Sequence, residues 1–174
     1  MKGQFIQGVN AGEDRWNYGS AYVKHSTTGD GVYIAERLRD ADRNEISALT
    51  LQPPVQVLTD GINASSPCYT VAITATDEPC AIFGVRESDN PNSGVVWMLG
   101  TDALFTIATK FLRASGDWVD ELHTHYTMLF NVIDARNEVH IKWLKWLGFS
   151  MIQDIPKYGI ERRKFILFNR YDGV

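Results

Sequence analysis

Residues 128–149, MLFNVIDARNEVHIKWLKWLGF, decide the fold of this chain. The opening run MLFNVI is almost wholly apolar, which is typical of a strand buried in a sheet. Four apolar side chains then recur at helical spacing: Val139, Trp143, Leu144 and Leu147. Gly148 follows, and glycine is the residue that best tolerates the left-handed backbone at a helix end. The stretch therefore predicts a buried strand, an amphipathic helix and a sharp helix end.

Upstream of this stretch, the pattern predicts a strand, a helix, a second short helix or turn, and three more strands. The first strand is VYIAERLR, residues 32–39, and the helix is DADRNEISAL, residues 40–49, with Asp40 as its N-cap. The segment VQVLTDGINA supplies the second helix or turn. Three β-rich runs then predict antiparallel strands, with a compact turn between the first two: CYTVAITA, CAIFGVRE and GVVWMLG.

The remaining elements complete the predicted order. Thr101 or Asp102 is expected to cap a helical stretch over residues 103–125, which Gly116 divides into two helices or bends. After Gly148, the runs FSMIQDI and RRKFILFNR predict a closing hairpin. The predicted order is β-α-α-β-β-β-α-β-α-β-β, which indicates an α/β (α+β) domain with a mixed central sheet flanked by helices.

The chain is predicted to consist of an N-terminal arm, residues 1–31, and one domain, residues 32–174. The arm is rich in Gly, Ser, Thr, Asn and Asp and has no sustained period. Its aromatic residues Trp16, Tyr18 and Tyr22 indicate that it is anchored rather than free. The full length of 174 residues and the hydrophobic fraction of 44% suffice for a single core.

Charge and cysteine content exclude several classes of protein. The formal net charge is -4, which gives no general case for a nucleic-acid partner, although residues 140–174 hold seven basic and three acidic residues. We expect nucleic acid only as a weak contact of this basic C-terminal face. The two cysteines, Cys68 and Cys80, form neither a disulfide framework nor a zinc motif. The sequence shows no signal peptide and no apolar run long enough to span a membrane.

Asn137 begins a pattern that resembles the signature of the GNAT family of N-acetyltransferases. These enzymes often show Asn, an apolar helix, and then Gly-Phe eleven and twelve positions later, here Gly148 and Phe149. The order of elements over residues 32–170 also resembles that family. A closer similarity is to the internal virion protein A family of short-tailed phages, which are GNAT-like proteins. It rests on PCAIFGV, WMLGTDAL and above all NEVHIKWLKWLGF.

The GNAT resemblance implies a site for acetyl-CoA at the start of the helix after GVVWMLG. GNAT enzymes place the pyrophosphate on free backbone N–H groups behind a glycine-rich loop. This chain has only Gly100 there, in MLGTDAL, and the side chain of Thr101 or Asp102 is expected to occupy those N–H groups. If the cofactor binds at all, the resemblance gives it five contacts: Leu99, Gly100, Thr101, Asp102 and Asn137.

The resemblance also implies a missing proton donor. Many GNAT enzymes carry a tyrosine seven residues after the Asn, and here that position is Leu144. Tyr126 or Tyr158 could replace it in principle, but ordinary packing explains both. His140 is expected to be a locally bonded helix residue rather than a base. No catalytic residue is therefore predicted. Two further histidines, His123 and His125, are spaced unfavourably for a helical metal site, so no metal is predicted either.

These features together indicate a phage virion structural protein of the internal core or portal region, with a GNAT-like fold and no acetyltransferase activity or cofactor. Its expected partners are other virion proteins, such as core, portal or adaptor proteins, and further copies of itself. It would lie inside the capsid after synthesis in the host cytoplasm and would serve assembly or DNA ejection. Two alternatives stay open. One is an active acetyl-CoA-dependent N-acetyltransferase, and the other is a regulatory protein that binds a host protein.

Overall fold

Strands and helices alternate along the chain around one mixed sheet. A computed structural model describes residues 15–173, with the backbone alone at positions 108 and 110. The elements are β1 (Arg15–Asn17), β2 (Ala21–His25), α1 (Thr28–Glu36), α2 (Asp40–Leu49), α3 (Pro54–Ala64), β3 (Ser65–Ile73), β4 (Pro79–Glu87), β5 (Ser93–Gly100), a short 3₁₀ helix (Asp102–Thr106), α4 (Ala108–His123), β6 (Met128–Asp134), α5 (Glu138–Trp146), β7 (Ser150–Tyr158) and β8 (Arg163–Tyr171).

The sheet has eight strands in the order β1-β2-β3-β4-β5-β6-β8-β7. Each pair of neighbours is antiparallel except β5 and β6, which are parallel. That parallel pairing is short, because only residues 93–95 of β5 meet residues 128–130 of β6. Beyond Val95 and Phe130 the two strands separate, and the gap between them positions the site described below.

Helices cover both faces of the sheet. On one face, Ile34 of α1, Leu58 of α3 and Ile82 of β4 share a buried cluster. On the other face, a larger cluster joins Phe111 of α4 and Leu144 of α5 to the central strands. Ile82 of β4 belongs to the first cluster and its neighbours Ala81 and Phe83 to the second, as the two-residue period of a strand requires. The predicted α/β class, with a mixed sheet between helices, is confirmed.

The prediction of a strand at residues 32–39 is wrong, because residues 32–36 continue the helix α1, and of the three that follow only Leu38 forms a β-bridge, with Thr101. A capping box starts that helix: Thr27 Oγ1 accepts a hydrogen bond from Asp30 N at 3.3 Å, and Asp30 Oδ2 accepts one from Thr27 N at 2.9 Å. Ile34 and Ala35 then bury one face of the helix. The strand that precedes α1 is β2, whose five residues pair with β3.

The boundary predicted between an arm and a domain does not coincide with a break in the structure. Residues 15–31 form β1, β2 and the start of α1, so this part of the predicted arm belongs to the sheet and its covering helices. Trp16 packs edge-on against Trp118 of α4, with 5.2 Å between the ring centroids, which agrees with an anchored segment. The rest of the predicted arm, residues 1–14, lies outside the described residues.

One predicted helix start and one predicted helix division are also corrected. Asp40 is the first residue of α2 rather than its cap, because Arg39 holds the N-cap position without a side-chain hydrogen bond. Gly116 lies inside α4, which is one helix from Ala108 to His123. A β-carbon at Gly116 would have no neighbouring atom within 4 Å, so nothing in the packing calls for a glycine there.

Candidate active site at the divergence of β5 and β6

A side-chain amide bridges the gap between the two diverging strands. Asn131 of β6 donates a hydrogen bond from Nδ2 to the carbonyl oxygen of Val96 on β5, at 2.8 Å. Its Oδ1 accepts a hydrogen bond from the N–H of Val132 at 2.7 Å. The side-chain amide thus forms hydrogen bonds with two backbone groups that the neighbouring strand would bind in a continuous parallel ladder. Without it these groups would be unpaired, which is costly for buried backbone.

The helix α2 spans the ends of both strands. Arg39 N donates to Gly100 O at 3.0 Å, and Gly100 N donates to Asp42 Oδ2 at 2.8 Å, so both backbone groups of Gly100 are bound. Across the gap, Asp134 N at the end of β6 donates to Glu45 Oε2 at 3.1 Å. One turn of α2 therefore supplies a carboxylate to each of the two separated strands.

Asp42 and Arg39 form a buried ion pair at this end of the gap. Both side chains are buried, and the guanidinium meets the carboxylate through Nε at 3.0 Å and Nη2 at 2.8 Å. Burial raises the pKa of Asp42, while Arg39 and the N–H of Gly100 act in the opposite direction. Because all these groups are mutually satisfied, the pair holds α2 in place and is not available for chemistry.

Glu45 differs from Asp42 because it has no hydrogen-bonded cation among the described residues, although the guanidinium of Arg136 lies close enough for the two charges to interact. Protein atoms surround its carboxyl group, which keeps only partial contact with solvent. Burial raises the pKa of Glu45 to about 7, opposed by the hydrogen bond from Asp134 N and reinforced by the nearby carboxylates of Asp42 and Asp134. Among the described residues no basic side chain forms an ion pair with it. A carboxyl group with this pKa exchanges protons near neutral pH, as a general base must.

Glu45 lines a cavity of about 80 Å³ that extends from the gap to the space between α4 and α5. Most of its wall is apolar. The lining side chains from the two helices are Phe111, Ser115, Trp118, Val119 and Leu122 of α4, and His140, Trp143, Leu144 and Leu147 of α5.

His140 is the second ionisable group at this cavity. Burial lowers its pKa to about 3, with a further contribution from the charge of Arg39. The imidazole is therefore neutral at physiological pH, and its ring packs 5.5 Å from that of Trp143. A histidine with so low a pKa is a poor base, which leaves Glu45 as the group suited to accept a proton.

The five residues predicted to contact a cofactor lie around the same end of the sheet, four of them consecutive in sequence and the fifth, Asn137, with its side chain near the carboxyl group of Glu45. Leu99 packs in the cluster of α1 and α3, and α2 already binds the backbone of Gly100. Thr101 donates from its N–H to Cys80 O at 2.9 Å, and Asp102 is exposed at the start of the 3₁₀ helix. Asn137 caps α5 through a hydrogen bond from His140 N to Oδ1, at 3.4 Å.

The prediction that Thr101 or Asp102 occupies the first amides of the long helix is wrong. Thr101 and Asp102 lie at the start of the 3₁₀ helix, whereas α4 begins at Ala108 with Ile107 at its N-cap. No side chain caps either helix. None of the described side chains caps the backbone N–H groups at the start of α4, so the case for a blocked phosphate site fails at this point.

Leu144 is buried and lines the cavity, so an aliphatic side chain stands beside Glu45 and His140. The two tyrosines considered as replacements lie elsewhere. Tyr126 packs against the backbone at Gly94, and Tyr158 packs 5.3 Å from the ring of Phe165. Sequence reasoning missed Glu45 and Asn131. The one available signal was an acidic residue next to Ile46 on the inward face of α2.

Within positions 15–173, no group of three or more His, Cys, Asp and Glu side chains is arranged to hold a metal ion. His123, considered above, instead places Nδ1 3.1 Å from Tyr126 O, and burial lowers its pKa. None of the described helices has the length and hydropathy needed to cross a bilayer.

Solved structures with the same architecture are GNAT acetyltransferases. A GNAT-family acetyltransferase from Bacillus anthracis matches with a TM-score of 0.67 at 8% identity, covering 89% of this chain and 96% of its own. The ribosomal-protein-S5-alanine acetyltransferase of Vibrio fischeri matches with a TM-score of 0.65 at 17% identity, covering 92% and 98%. The protein yncA of Salmonella typhimurium, a putative acetyltransferase solved with its cofactor acetyl-CoA, matches with a TM-score of 0.68 at 10% identity, covering 88% of this chain and 94% of its own.

These similarities show that the chain has the GNAT fold, the fold of acyl-CoA-dependent N-acyltransferases, as a single domain. Identities this low establish the fold alone. No protein-family model matches the sequence. No curated protein matches it either.

Proposed function

We propose that this protein transfers an acyl group from an acyl-CoA thioester to an amine, with Glu45 as the general base. The observation that carries the proposal is the position of Glu45: a carboxyl group with a pKa of about 7 lines a largely apolar cavity where β5 and β6 diverge. A base with a pKa near the working pH is best able to accept a proton and release it again. The GNAT fold supports the same class of reaction.

The residues around the gap fit an acyl-CoA substrate in two respects and differ in one respect from the phosphate-binding loop of GNAT enzymes. The start of α4 has backbone N–H groups without a side-chain cap, where a phosphate group could bind. The cavity between α4 and α5 offers apolar space for the reactive end. The departure is the loop after β5, which is a 3₁₀ helix from Asp102 to Thr106 in place of a glycine-rich turn.

Glu45 is the only protein group that the proposed reaction needs for proton transfer. The ionised carboxylate takes one proton from a substrate ammonium and leaves an amine whose lone pair can attack. As the new C–N bond forms and the C–S bond breaks, the electron pair of the broken bond stays on sulfur. Leu144 has no proton to give, so the thiolate takes the remaining surplus proton of the amine. Glu45 then returns its own proton to water.

The first experiment is a calorimetric titration of the full chain with CoA and acetyl-CoA, followed by measurement of thiol release with a panel of amines. We expect micromolar binding, and turnover that rises with pH through about 7. Glu45→Gln should lower kcat about 10²–10⁴-fold and leave CoA binding unchanged. The control is Glu87→Gln, an exposed carboxylate at the end of β4. No binding at millimolar CoA would overturn the proposal.

A second candidate function is a structural role inside a phage particle, without catalysis. The resemblance of residues 137–149 to internal virion protein A favours it, as does Leu144 in place of a proton donor. Val139 and Trp146, seven residues apart on α5, are 61% and 60% exposed, and such side chains commonly contact another protein. In that role the chain would join core, portal or adaptor proteins within the capsid.

Mass spectrometry of purified particles tests the structural role. A component of the internal core must remain at constant copy number through purification and disappear from particles emptied by ejection. A chain absent from washed particles would exclude this role. Its presence together with thiol-releasing activity would assign both functions to one protein.

A further inference from the structure

We propose that His140 donates a hydrogen bond from its ring N–H to the carbonyl oxygen of the bound thioester and stabilises the negative charge that forms on this oxygen as the amine attacks. This inference rests on the proposed function and adds a second catalytic residue to it. It depends on three properties of His140: the free nitrogens of its ring, its position at the cavity and its state of protonation.

The ring of His140 has hydrogen-bonding capacity that the described protein leaves unused. Its backbone N–H donates to Asn137 Oδ1 at 3.4 Å, whereas neither ring nitrogen has a hydrogen-bond partner among the described residues. The residue is half-buried, and its ring nitrogens are not enclosed by protein atoms, in contrast to the indole nitrogen of Trp143. Because an unpaired donor inside a protein is costly, a free N–H at a cavity favours a ligand that brings an acceptor.

The other side-chain donors around the cavity are bound or enclosed. Three of them donate to protein acceptors: Asn131 Nδ2 to Val96 O at 2.8 Å, Ser115 Oγ to Leu112 O at 2.6 Å, and Trp97 Nε1 to Ser65 Oγ at 2.8 Å. The indole nitrogens of Trp118 and Trp143 are enclosed by protein atoms. The imidazole of His140 is therefore the side-chain donor that a ligand in the cavity can reach without any change in the protein.

The position of His140 brings this donor to the proposed reaction. The same cavity is lined by Glu45 of α2 and by His140 of α5. Asn137, one turn before His140, has its side chain near the carboxyl group of Glu45, so the start of α5 lies beside the base. A carbonyl carbon attacked by an amine at Glu45 carries its oxygen into this cavity. The apolar side chains of Trp143 and Leu144 also line it, and such surroundings strengthen a hydrogen bond to a charged oxygen.

The imidazole is neutral, which suits a donor that keeps its proton. Burial lowers the pKa of His140 to about 3, so at neutral pH one ring nitrogen carries a proton and the other carries none. As the amine nitrogen bonds to the carbonyl carbon, one electron pair of the C=O bond moves to oxygen, and the N–H of His140 holds that charge by a hydrogen bond. When the C–S bond breaks, the C=O bond forms again. His140 neither gains nor loses a proton, so Glu45, the amine and the thiolate keep the roles described above.

Calorimetric titrations of the full chain with CoA, acetyl-CoA and S-ethyl-CoA test this inference. The last two have the same carbon skeleton, but only acetyl-CoA has the carbonyl oxygen. The native protein should bind acetyl-CoA about three- to tenfold more tightly than S-ethyl-CoA, as one hydrogen bond to an otherwise unpaired donor would give. His140→Leu should bind the two alike. Equal affinities in the native protein would overturn this inference and leave the proposed function standing. No binding of any of the three would overturn both.

Turnover of acetyl-CoA measures the effect on the charged oxygen. Loss of one such donor typically lowers kcat by about 10²–10³-fold, which we expect for His140→Leu, with the Kd for CoA unchanged because CoA has no carbonyl at sulfur. His140→Gln keeps an N–H donor and should recover about tenfold of that loss, and both variants should keep the rise of turnover through pH 7 that Glu45 causes.

The control is His125→Leu, which makes the same exchange at an exposed histidine and should keep the native kcat. A kcat for His140→Gln no higher than that for His140→Leu would overturn the assignment of a donor, as would an undiminished kcat in His140→Leu. If His140→Leu does not fold, the comparison of acetyl-CoA with S-ethyl-CoA on the native protein decides alone.

Discussion

The backbone N–H of Asp134 donates a hydrogen bond to the carboxylate of Glu45 at 3.1 Å, across 89 residues of sequence. This bond ties α2, on one face of the sheet, to the end of β6 at the point where β5 has already diverged. It fixes the orientation of the one cavity carboxyl group whose pKa lies near neutrality. The same contact therefore serves the fold and positions the candidate base.

The stability of the protein should depend on the ionisation of Glu45. Its pKa is about 7 in the folded chain and near the ordinary value of 4.5 in the unfolded chain, so the folded state binds the proton more tightly. This contribution is complete below pH 4.5 and is lost as the pH rises through 7. At 1.36 kcal/mol per pKa unit, the loss amounts to about 3 kcal/mol. Urea unfolding of the native protein and of Glu45→Gln between pH 4.5 and 8.5 measures it.

In Glu45→Gln this component of the pH dependence should disappear, because the amide does not titrate. Glu87→Gln should keep the native profile, since Glu87 is exposed. Parallel profiles for the native protein and Glu45→Gln would show that the carboxyl group is solvated and would remove the basis for a raised pKa.

Most of the fold follows from local patterns in the sequence. The stretch from Met128 to Phe149 gives β6 and α5 directly, because an unbroken apolar run and a helical stripe are local signals. The strand predicted at residues 32–36 is wrong because Val32, Tyr33 and Ile34 are residue types that favour strands in isolation. The capping box of Thr27 and Asp30 overrides that preference by starting a helix four residues earlier.

The candidate site is harder than the fold to predict from local sequence patterns. Leu144 was identified because it occupies a position in a local motif. Glu45 gains its raised pKa only from atoms that folding brings to it, chiefly those at Asp134 and around the cavity. The separation of β5 from β6 is likewise a property of the sheet and not of either strand. No spacing along the chain contains this information.

Removing the charge of Asp42 should destabilise the fold. Asp42→Asn leaves the buried guanidinium of Arg39 without a counterion, and breaking a buried pair in this way costs about 3–5 kcal/mol. The corresponding change at an exposed pair, Glu36→Gln beside Arg37, should cost less than about 1 kcal/mol. Urea unfolding compares the two variants. If Asp42→Asn lowered the free energy of unfolding no more than Glu36→Gln does, water would have to reach the buried pair.

Two glycines should respond in opposite directions to the same substitution. At Gly94, where β5 pairs with β6, a β-carbon would fall against Val85 Cγ2 and within 2.7 Å of Tyr126 Cδ2. Gly94→Ala should therefore destabilise the protein by about 1–3 kcal/mol. Gly116→Ala meets no atom within 4 Å inside α4 and should stabilise it by about 0.5–1 kcal/mol. Thermal unfolding of both variants checks the sign of each effect.

Restoring a hydroxyl at position 144 should increase turnover if the proposed reaction takes place. Leu144 lines the same cavity as Glu45, so a tyrosine there would bring a proton donor to the departing thiolate. General acid catalysis typically contributes 10²–10⁴-fold, and even an imperfectly placed hydroxyl should raise kcat by about tenfold. The matched control is Leu144→Phe, which adds the same ring without the hydroxyl and occupies the same part of the cavity.

Comparison of these two variants separates chemistry from packing. Both rings occupy the same part of the cavity, so both variants should change its packing alike, and only Leu144→Tyr should gain kcat with acetyl-CoA. The pH profile should change as well, because turnover of Leu144→Tyr should fall once the phenol ionises near its ordinary pKa of about 10. Equal kcat values for the two variants would show that protonation of the thiolate does not limit the rate, and that the amine already supplies the proton that leaves with sulfur.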